Sequence, residues 1–426
     1  MLVGRVGPCG AGYTPAAVPV VAGEGPDTLI ADAAPRVTRA RMVICKVTPN
    51  CNLDCSYCSA VATGPDGTIE KIPDETYLRA VELFVGHTRE PMIEWLFHGG
   101  EPLLLPAEWY RWAMDHVERV ARANPHLERL VFSMQSNAVA LRQSHLDLFV
   151  ERGVTVSASL DGMPELNDLQ RGRGAAALRN IRRLAEAGVG GGVITILTPN
   201  NIDHVDRILD FFAGSGVSGV KLNNLACVGR GVGESTITGE QYAHAMLASL
   251  SRMARTGSVD PMNHDLLTLL ELYLRRGADR VEDWESCYSY TCAAARTFFG
   301  VEYNGDVYPC GRAADTGAFR LLNLMERRLD AEGYERARLA IHHKDAWYVR
   351  CFDCAARRIC SFGCPAFEAG NPAERELQCR FIREVYRQFQ RNPHLIERAR
   401  QVLDQHFSGL DDEEPGIDVT SNQQGE

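Results

Sequence analysis

Residues 42–58 read MVICKVTPNCNLDCSYC, a short apolar run that leads straight into three closely spaced cysteines. The run has the length and the Val/Ile content of a buried strand. Cys51, Cys55 and Cys58 follow it in a C-x3-C-x2-C spacing, so one loop can wrap three thiolates around a single metal centre. A structural zinc site would need a fourth ligand close by, and no such ligand stands next to this group. Three thiolates on a four-iron cubane leave one iron open, and an open coordination position is what chemistry at a metal requires.

Working outward, five further apolar runs read as strands: IEWLF (93–97), RLVFSMQ (129–135), TVSASL (155–160), GVITIL (192–197) and GVKLNN (219–224). Stretches with helical spacing separate them, among them DETYLRAVELFVGH (74–87) and AEWYRWAMDHVERVARA (107–123). Six strands alternating with helices predict an α/β fold with a parallel sheet and right-handed crossovers. The count suits an open six-unit barrel and a doubly wound sheet alike. This core covers residues 41–230, after a leader segment over 1–40 that is rich in Gly, Pro, Ala and Val without helical period. Helical runs such as QYAHAMLASLSRMAR (241–255) predict a bridge over 231–285.

The chain has 426 residues, 45% of them hydrophobic, enough for a large core and more than one domain. Its net charge of −10 argues against a nucleic-acid partner. No run reaches the roughly 20 apolar residues of a membrane span, and AAVPVVAG (16–23) lacks the flanks of a secretion signal. The expectation is therefore a cytoplasmic chain with no membrane partner. Of its fourteen cysteines, eleven fall into two groups with ligand-like spacing. In a chain without a signal such groups read as metal sites, not disulfides. Cys9, Cys45 and Cys227 stand apart and read as small packed hydrophobes.

The second cysteine group fills residues 286–385, where regular periodicity fades, as expected of a region held together by metal. Cys287 and Cys292 open it, twelve residues separate Cys292 from Gly305, and four more lead to Cys310. Cys351, Cys354, Cys360 and Cys364 then form C-x2-C-x5-C-x3-C, and Cys379 closes the set. Eight thiolates could complete two tetrahedral zinc sites or two four-iron clusters. Residues 386–426 predict a last helix and a disordered acidic tail, DDEEPGIDVTSNQQGE.

The first group resembles the signature of the radical S-adenosylmethionine (SAM) superfamily, in which an aromatic precedes the last cysteine, as Tyr57 does here. Further matches follow in family order: HGGEP (98–102), SMQSNA (133–138), SLDG (159–162) and NDLQR (167–171). The resemblance implies a partial (β/α)6 barrel in which Cys51, Cys55 and Cys58 hold a four-iron four-sulfur cluster whose open iron chelates SAM. One electron would cleave SAM to a 5'-deoxyadenosyl radical that abstracts hydrogen from substrate. By the same likeness Gly99 and Gly100 allow close backbone approach and Glu101 contacts the methionyl amine. Gln135, Ser136 and Asn137 occupy a QTNG-like segment. Ser159 lies near the ribose or methionyl end of the cofactor, with Asp161 beside it at the carboxyl edge of the sheet. In NDLQR, Asn167 stands where many relatives have histidine, and the retained Arg171 pairs with the cofactor carboxylate or is an ordinary arginine at a helix start.

The second group resembles the SPASM domain of peptide- and protein-maturing relatives. That likeness implies one auxiliary cluster on Cys287, Cys292, Cys310 and Cys364 and another on Cys351, Cys354, Cys360 and Cys379, making three four-iron clusters in all. With no iron left open, electron transfer or redox poise is their implied role. The implied activity is maturation of a ribosomally made precursor peptide by an intramolecular carbon–carbon or thioether cross-link, with a flavodoxin or ferredoxin as electron donor. Because only about 40 residues precede the first strand, leader recognition is expected to reside in a separate protein. A second reading is formylglycine formation in sulfatases. Those relatives place an aspartate proposed as base right after the cysteine that is Cys310 here, where this chain has Gly311. A noncatalytic iron–sulfur scaffold or sensor is the reading from another class. Retention of the three-cysteine loop with GGEP and SLDG argues against it.

Overall fold

The structure is a computed structural model and describes residues 26–59, 69–274, 287, 292–342, 351, 353–408 and 417–419. Cys9, most of the leader segment and the last residues of the tail lie outside them. After α1 (Leu29–Ala33) come β1 (Met42–Lys46), α2 (Asp74–His87), β2 (Met92–His98), α3 (Ala107–Ala123), β3 (Arg129–Ser136), α4 (Gln143–Arg152) and β4 (Thr155–Ser159). Next are α5 (Pro164–Asp168), α6 (Gly174–Glu186), β5 (Gly190–Leu197), α7 (Val205–Ala213), β6 (Gly219–Asn224), α8 (Gly239–Thr256), β7 (Met262–Asn263) and α9 (His264–Leu274). The C-terminal part holds β8 (Phe298–Val301), β9 (Asp306–Tyr308), α10 (Gly311–Thr316), β10 (Leu322–Asn323), α11 (Ala331–His342) and α12 (Pro365–Gly370). It ends in α13 (Ala373–Arg391), α14 (Pro393–Phe407) and β11 (Ile417–Asp418).

Strand order decides between the two α/β architectures. The sheet runs β10-β9-β8-β1-β2-β3-β4-β5-β6-β7, and β1 to β6 are parallel neighbours in chain order. A doubly wound sheet would reverse direction at a switch point. Here the order never reverses, so all crossovers turn the same way and curl the sheet into a partial six-unit barrel. The edge beside β1 is taken by β8, which pairs with it in parallel, Met42 facing Phe298 and Cys45 facing Val301.

Alternation along each strand sorts side chains between helices and lumen. In β2, Ile93, Trp95 and Phe97 are fully buried, while Glu94, Leu96 and His98 on the other face are only half-buried. The outer set packs on helices such as α2, whose Tyr77, Ala80, Val81 and Phe84 recur at helical spacing and are fully buried. Phe299, Val301, Val307 and Leu322 join the same core, so β8 to β10 extend the barrel's sheet instead of standing apart from it. Cys45 is buried and free, as expected of a packed small hydrophobe, whereas Cys227, also buried, is disulfide-bonded, contrary to that expectation.

Two segments depart from expectation. α13 packs on α8, with the rings of Tyr242 and Phe381 stacked at 4.3 Å, so the helical stretch after β6 is covered by the C-terminal helices. Part of the acidic tail is also ordered, contrary to the expectation of disorder. Ile417–Asp418 pairs antiparallel with the start of β3, and Val419 is buried. Among the described residues, no helix is long and apolar enough to cross a membrane.

Candidate active site

The carboxyl ends of the barrel strands carry the three-cysteine loop and the motif residues that follow it in sequence. A Cβ on Gly99, whose φ is +135°, would come within 2.5 Å of Thr48 O, and one on Gly100 would overlap Asn50 O. Glycine at both positions lets Gly100 N–H donate to Thr48 O and Glu101 N–H to Asn50 O, each at 2.8 Å. The exit of β2 is thereby pinned against the residues that lead into Cys51. Cys51 Sγ accepts from Leu53 N–H at 3.4 Å and from Asn137 Nδ2 at 3.7 Å. Burial pushes the Cys51 thiol up to about 11, so it stays protonated at neutral pH until a metal replaces the proton.

A buried network fastens the other side of the loop. Tyr57 donates its phenolic hydrogen to Asp161, whose carboxylate also accepts from Gln170 Nε2 at 2.7 Å and Ile196 N–H at 2.9 Å. Arg171 donates to Tyr57 Oη at 3.0 Å and lies over the Tyr57 ring, 5.6 Å from its centroid. Its Nε is buried without a hydrogen-bond partner. Asp161 is fully buried with both oxygens engaged, which suits it to hold the loop. Asn167, in the place of a histidine in many relatives, accepts from Asp161 N–H at 3.1 Å. Glu101 is also fully buried: Oε1 accepts from Leu103 N–H at 2.8 Å and Ser136 Oγ at 2.7 Å, and Oε2 from Asn137 N–H at 2.7 Å. On the next two strands, Gln135 donates to Ser159 Oγ at 2.9 Å.

Sequence reasoning missed two groups of residues here. Arg230, beyond β6, donates its backbone N–H to Cys58 O at 3.0 Å and its guanidinium to Asp54 and Cys55 O, closing the loop from the far end of the barrel. The second group is an ion cluster in the lumen. Lys46 Nζ, at the end of β1, lies 2.5 Å from Glu302 Oε1 and 2.8 Å from Asp315 Oδ1, and Ser59 donates to Asp315 Oδ2 at 3.2 Å. His98 lies close enough for Lys46 to influence it, and burial together with that cation pushes its ring down to about 4. Only the lumen-facing register of Lys46 and His98 hinted at this cluster.

All eight cysteines of the second group line one cavity of about 1390 Å³. They divide by mutual influence. Cys310 feels the charges of Cys364, Cys292 and Cys287, whereas Cys360 feels those of Cys351, Cys354 and Cys379. Burial pushes the Cys310 thiol up strongly and the Cys360 thiol up to about 11. Backbone N–H groups point at both sulfurs, Ala313 at 3.5 Å from Cys310 and Phe362 at 3.3 Å from Cys360, as suits thiolate ligands. Among the described residues, no three His, Cys, Asp or Glu side chains converge closely enough to hold a lone metal ion.

Comparison with known proteins gives this geometry a context. The Radical SAM superfamily profile matches residues 45–212. An uncharacterized protein of Methanothermobacter thermautotrophicus is 30% identical over 234 residues, 54% of this chain and 85% of that protein. The chain spans about half, 47%, of the length of a Synechocystis protein that is 32% identical over 192 residues, 43% of this chain. The serine-type anaerobic sulfatase-maturating enzyme of Klebsiella aerogenes is 23% identical, covering 76% of this chain and 79% of that enzyme. Among solved structures, native anSMEcpe with bound AdoMet and Cp18Cys peptide superposes with a TM-score of 0.69 at 19% identity, over 85% of this chain and 99% of that one. Streptococcus suis SuiB bound to the precursor peptide SuiA gives 0.56 at 15% identity, over 77% and 72%.

The chain belongs to the radical SAM superfamily. Membership implies a four-iron four-sulfur cluster together with SAM. The residues present fit both groups. Three thiols share one loop beside a sulfur-directed amide, and Arg171 Nε, 3.9 Å from Asp161 Oδ2 and without a hydrogen bond, leaves a donor that suits an anionic group such as a carboxylate.

Proposed function

We propose that the protein is an oxidative peptide maturase that carries three four-iron clusters. The observation that carries this reading is the gathering of eight cysteines around one cavity, with three of them beside Cys310 and three beside Cys360. Cys51, Cys55 and Cys58 would hold the first cluster, Cys287, Cys292, Cys310 and Cys364 the second, and Cys351, Cys354, Cys360 and Cys379 the third. Glu101 and Arg171 would orient the methionyl amine and carboxylate of SAM, with Ser159 and Gln135 toward its ribose. Asn137 would steady the Cys51 sulfur, and Tyr57 with Asp161 would keep the loop closed. When bound, the first cluster with SAM supplies a 5'-deoxyadenosyl radical that takes a hydrogen atom from substrate, and the fully ligated pair supplies an acceptor for the electron released afterwards.

The favoured product is an intramolecular cross-link in a ribosomally made precursor peptide, carbon–carbon or thioether, with a flavodoxin or ferredoxin as electron donor. Likeness of fold to SuiB, solved with its precursor peptide, supports it. Formylglycine formation is the second reading. It is favoured by the sulfatase-maturating relatives and by Asp315, which stands on α10 one helical turn past Gly311 and so offers an acid near the lumen. Mass spectrometry after coexpression separates the two. A cross-linked peptide is lighter by about two mass units, with fragmentation blocked between the joined residues. An unmodified neighbouring peptide, together with an aldehyde on a sulfatase-derived one, would transfer the assignment to the second reading.

A further inference from the structure

In a chain of net charge −10, one face is basic, and it surrounds the cysteines nearest solvent. Cys379 is exposed on α13, and Arg375, Arg383 and Arg387 stand four residues before, four after and eight after it, lining the same cavity. Residues at that spacing share one side of a helix. Arg357 and Arg358 add charge from the turn between Cys354 and Cys360, and Arg358 and Arg383 are exposed. With Arg380, which also pairs with Glu240 on α8 at 3.5 Å, six arginines face four carboxylates among the described residues, Glu240, Asp353, Glu376 and Glu384, leaving a local charge of two positive. Glu384 is buried against Arg387, and Glu376 is engaged by Arg380 at 2.7 Å, so the outward field is that of the cations.

We infer that this face of α13 is the docking surface for a small acidic electron-carrier protein. The inference rests on the reading that Cys351, Cys354, Cys360 and Cys379 hold a cluster. An acidic carrier is repelled by the chain as a whole and drawn to a region of opposite sign such as this one. That region also presents Cys379, where a ligated metal centre would come closest to the surface.

The test is binding of oxidised flavodoxin to the anaerobically reconstituted full-length protein, followed by calorimetry at low and moderate salt. The iron content of each variant is measured first. Binding should weaken steeply with salt, and Arg358→Glu combined with Arg383→Glu should weaken it about tenfold or more at low salt with iron unchanged. Arg173→Glu, an exposed site two residues past Arg171, should leave it unaltered. Unchanged affinity in the double variant, no binding by the wild type, or an equal loss in Arg173→Glu would each overturn the docking surface. The underlying reading fails separately, if replacing Cys351, Cys354, Cys360 and Cys379 by alanine costs no iron.

Discussion

Lys46 Nζ lies 2.8 Å from Asp315 Oδ1, an ion pair that joins the carboxyl end of β1 to α10, the helix capped by Cys310, across 269 positions of sequence. Glu302 completes it at 2.5 Å, and Ser59, the residue after Cys58, reaches Asp315 from the other side. Both cysteine groups are thus referred to one buried cation.

Replacing Lys46 by methionine leaves two carboxylates without their counter-ion in a mostly buried site, a change that costs about 3–5 kcal/mol. Lys46→Met should melt several degrees lower and lose iron from the C-terminal set, and Lys46→Arg should recover part of both. Thermal melts with iron analysis check this. Wild-type values in Lys46→Met would remove the ion cluster from any role in holding α10.

Glu101→Gln bears on the motif glutamate. Both carboxylate oxygens accept hydrogen bonds from neighbours that can only donate to them in this arrangement. A glutamine must turn its NH2 toward one of those donors, which costs about 1–3 kcal/mol, and it also removes the charge that a methionyl amine would meet. The expected outcome is weaker SAM binding and a lower melting point with iron unchanged, read by calorimetry and metal analysis. Full SAM affinity in the variant would take Glu101 out of the cofactor site.

The sequence carried most of the barrel because its signals are local. Strands 93–97 and 129–135 announced themselves by alternating faces, and each recurs within two residues in the structure. Strand count alone left the choice between a barrel and a doubly wound sheet open, and only the family resemblance pointed to the barrel, because the choice depends on which strands pair and pairing is not written in any single window. The parallel pairing of Phe298–Val301 with β1 was illegible for a related reason: four residues inside a cysteine-dense stretch give too little period to read. Tyr57 and Asp161 were each marked by motif, yet their hydrogen bond spans 104 positions and appears only in three dimensions. Lys46, Glu302, Asp315 and Arg230 lay in no motif at all.

Glu374 provides a pH test. It is buried at the start of α13, and burial pushes its carboxyl up to about 7, with Arg312 and a hydrogen bond from Asn224 at 3.1 Å opposing the shift. A raised folded-state value means the neutral form is the one the fold prefers. Its contribution is therefore fully present below the ordinary carboxylate value near 4.5 and is lost as pH rises through about 7. Relative to wild type, Glu374→Gln should gain stability between about pH 5 and 8, by up to roughly 3 kcal/mol. Melting both proteins across that range gives the difference curve, and a flat curve would mean that Glu374 is ionised in the fold at all these values.

The assignment of the two cysteine groups can be tested by removing one at a time. Alanine in place of Cys51, Cys55 and Cys58 together should end 5'-deoxyadenosine formation, yet leave about two-thirds of the wild-type iron, because eight ligands of the other group are untouched. The fold should survive. Cys51 and Cys55 are buried among loop residues held independently by Asn137, Tyr57 and Arg230, so alanine leaves only small gaps. The reciprocal variant, with alanine at Cys351, Cys354, Cys360 and Cys379, should keep about two-thirds of the iron and continue to cleave SAM, while the modified peptide disappears from the mass spectrum. Loss of cleavage in both variants would merge the two sites into one functional unit. An iron content in the first variant that equals the wild type would show that the barrel loop holds no cluster, and with it would go the whole reading of the lumen as the place where the radical is made.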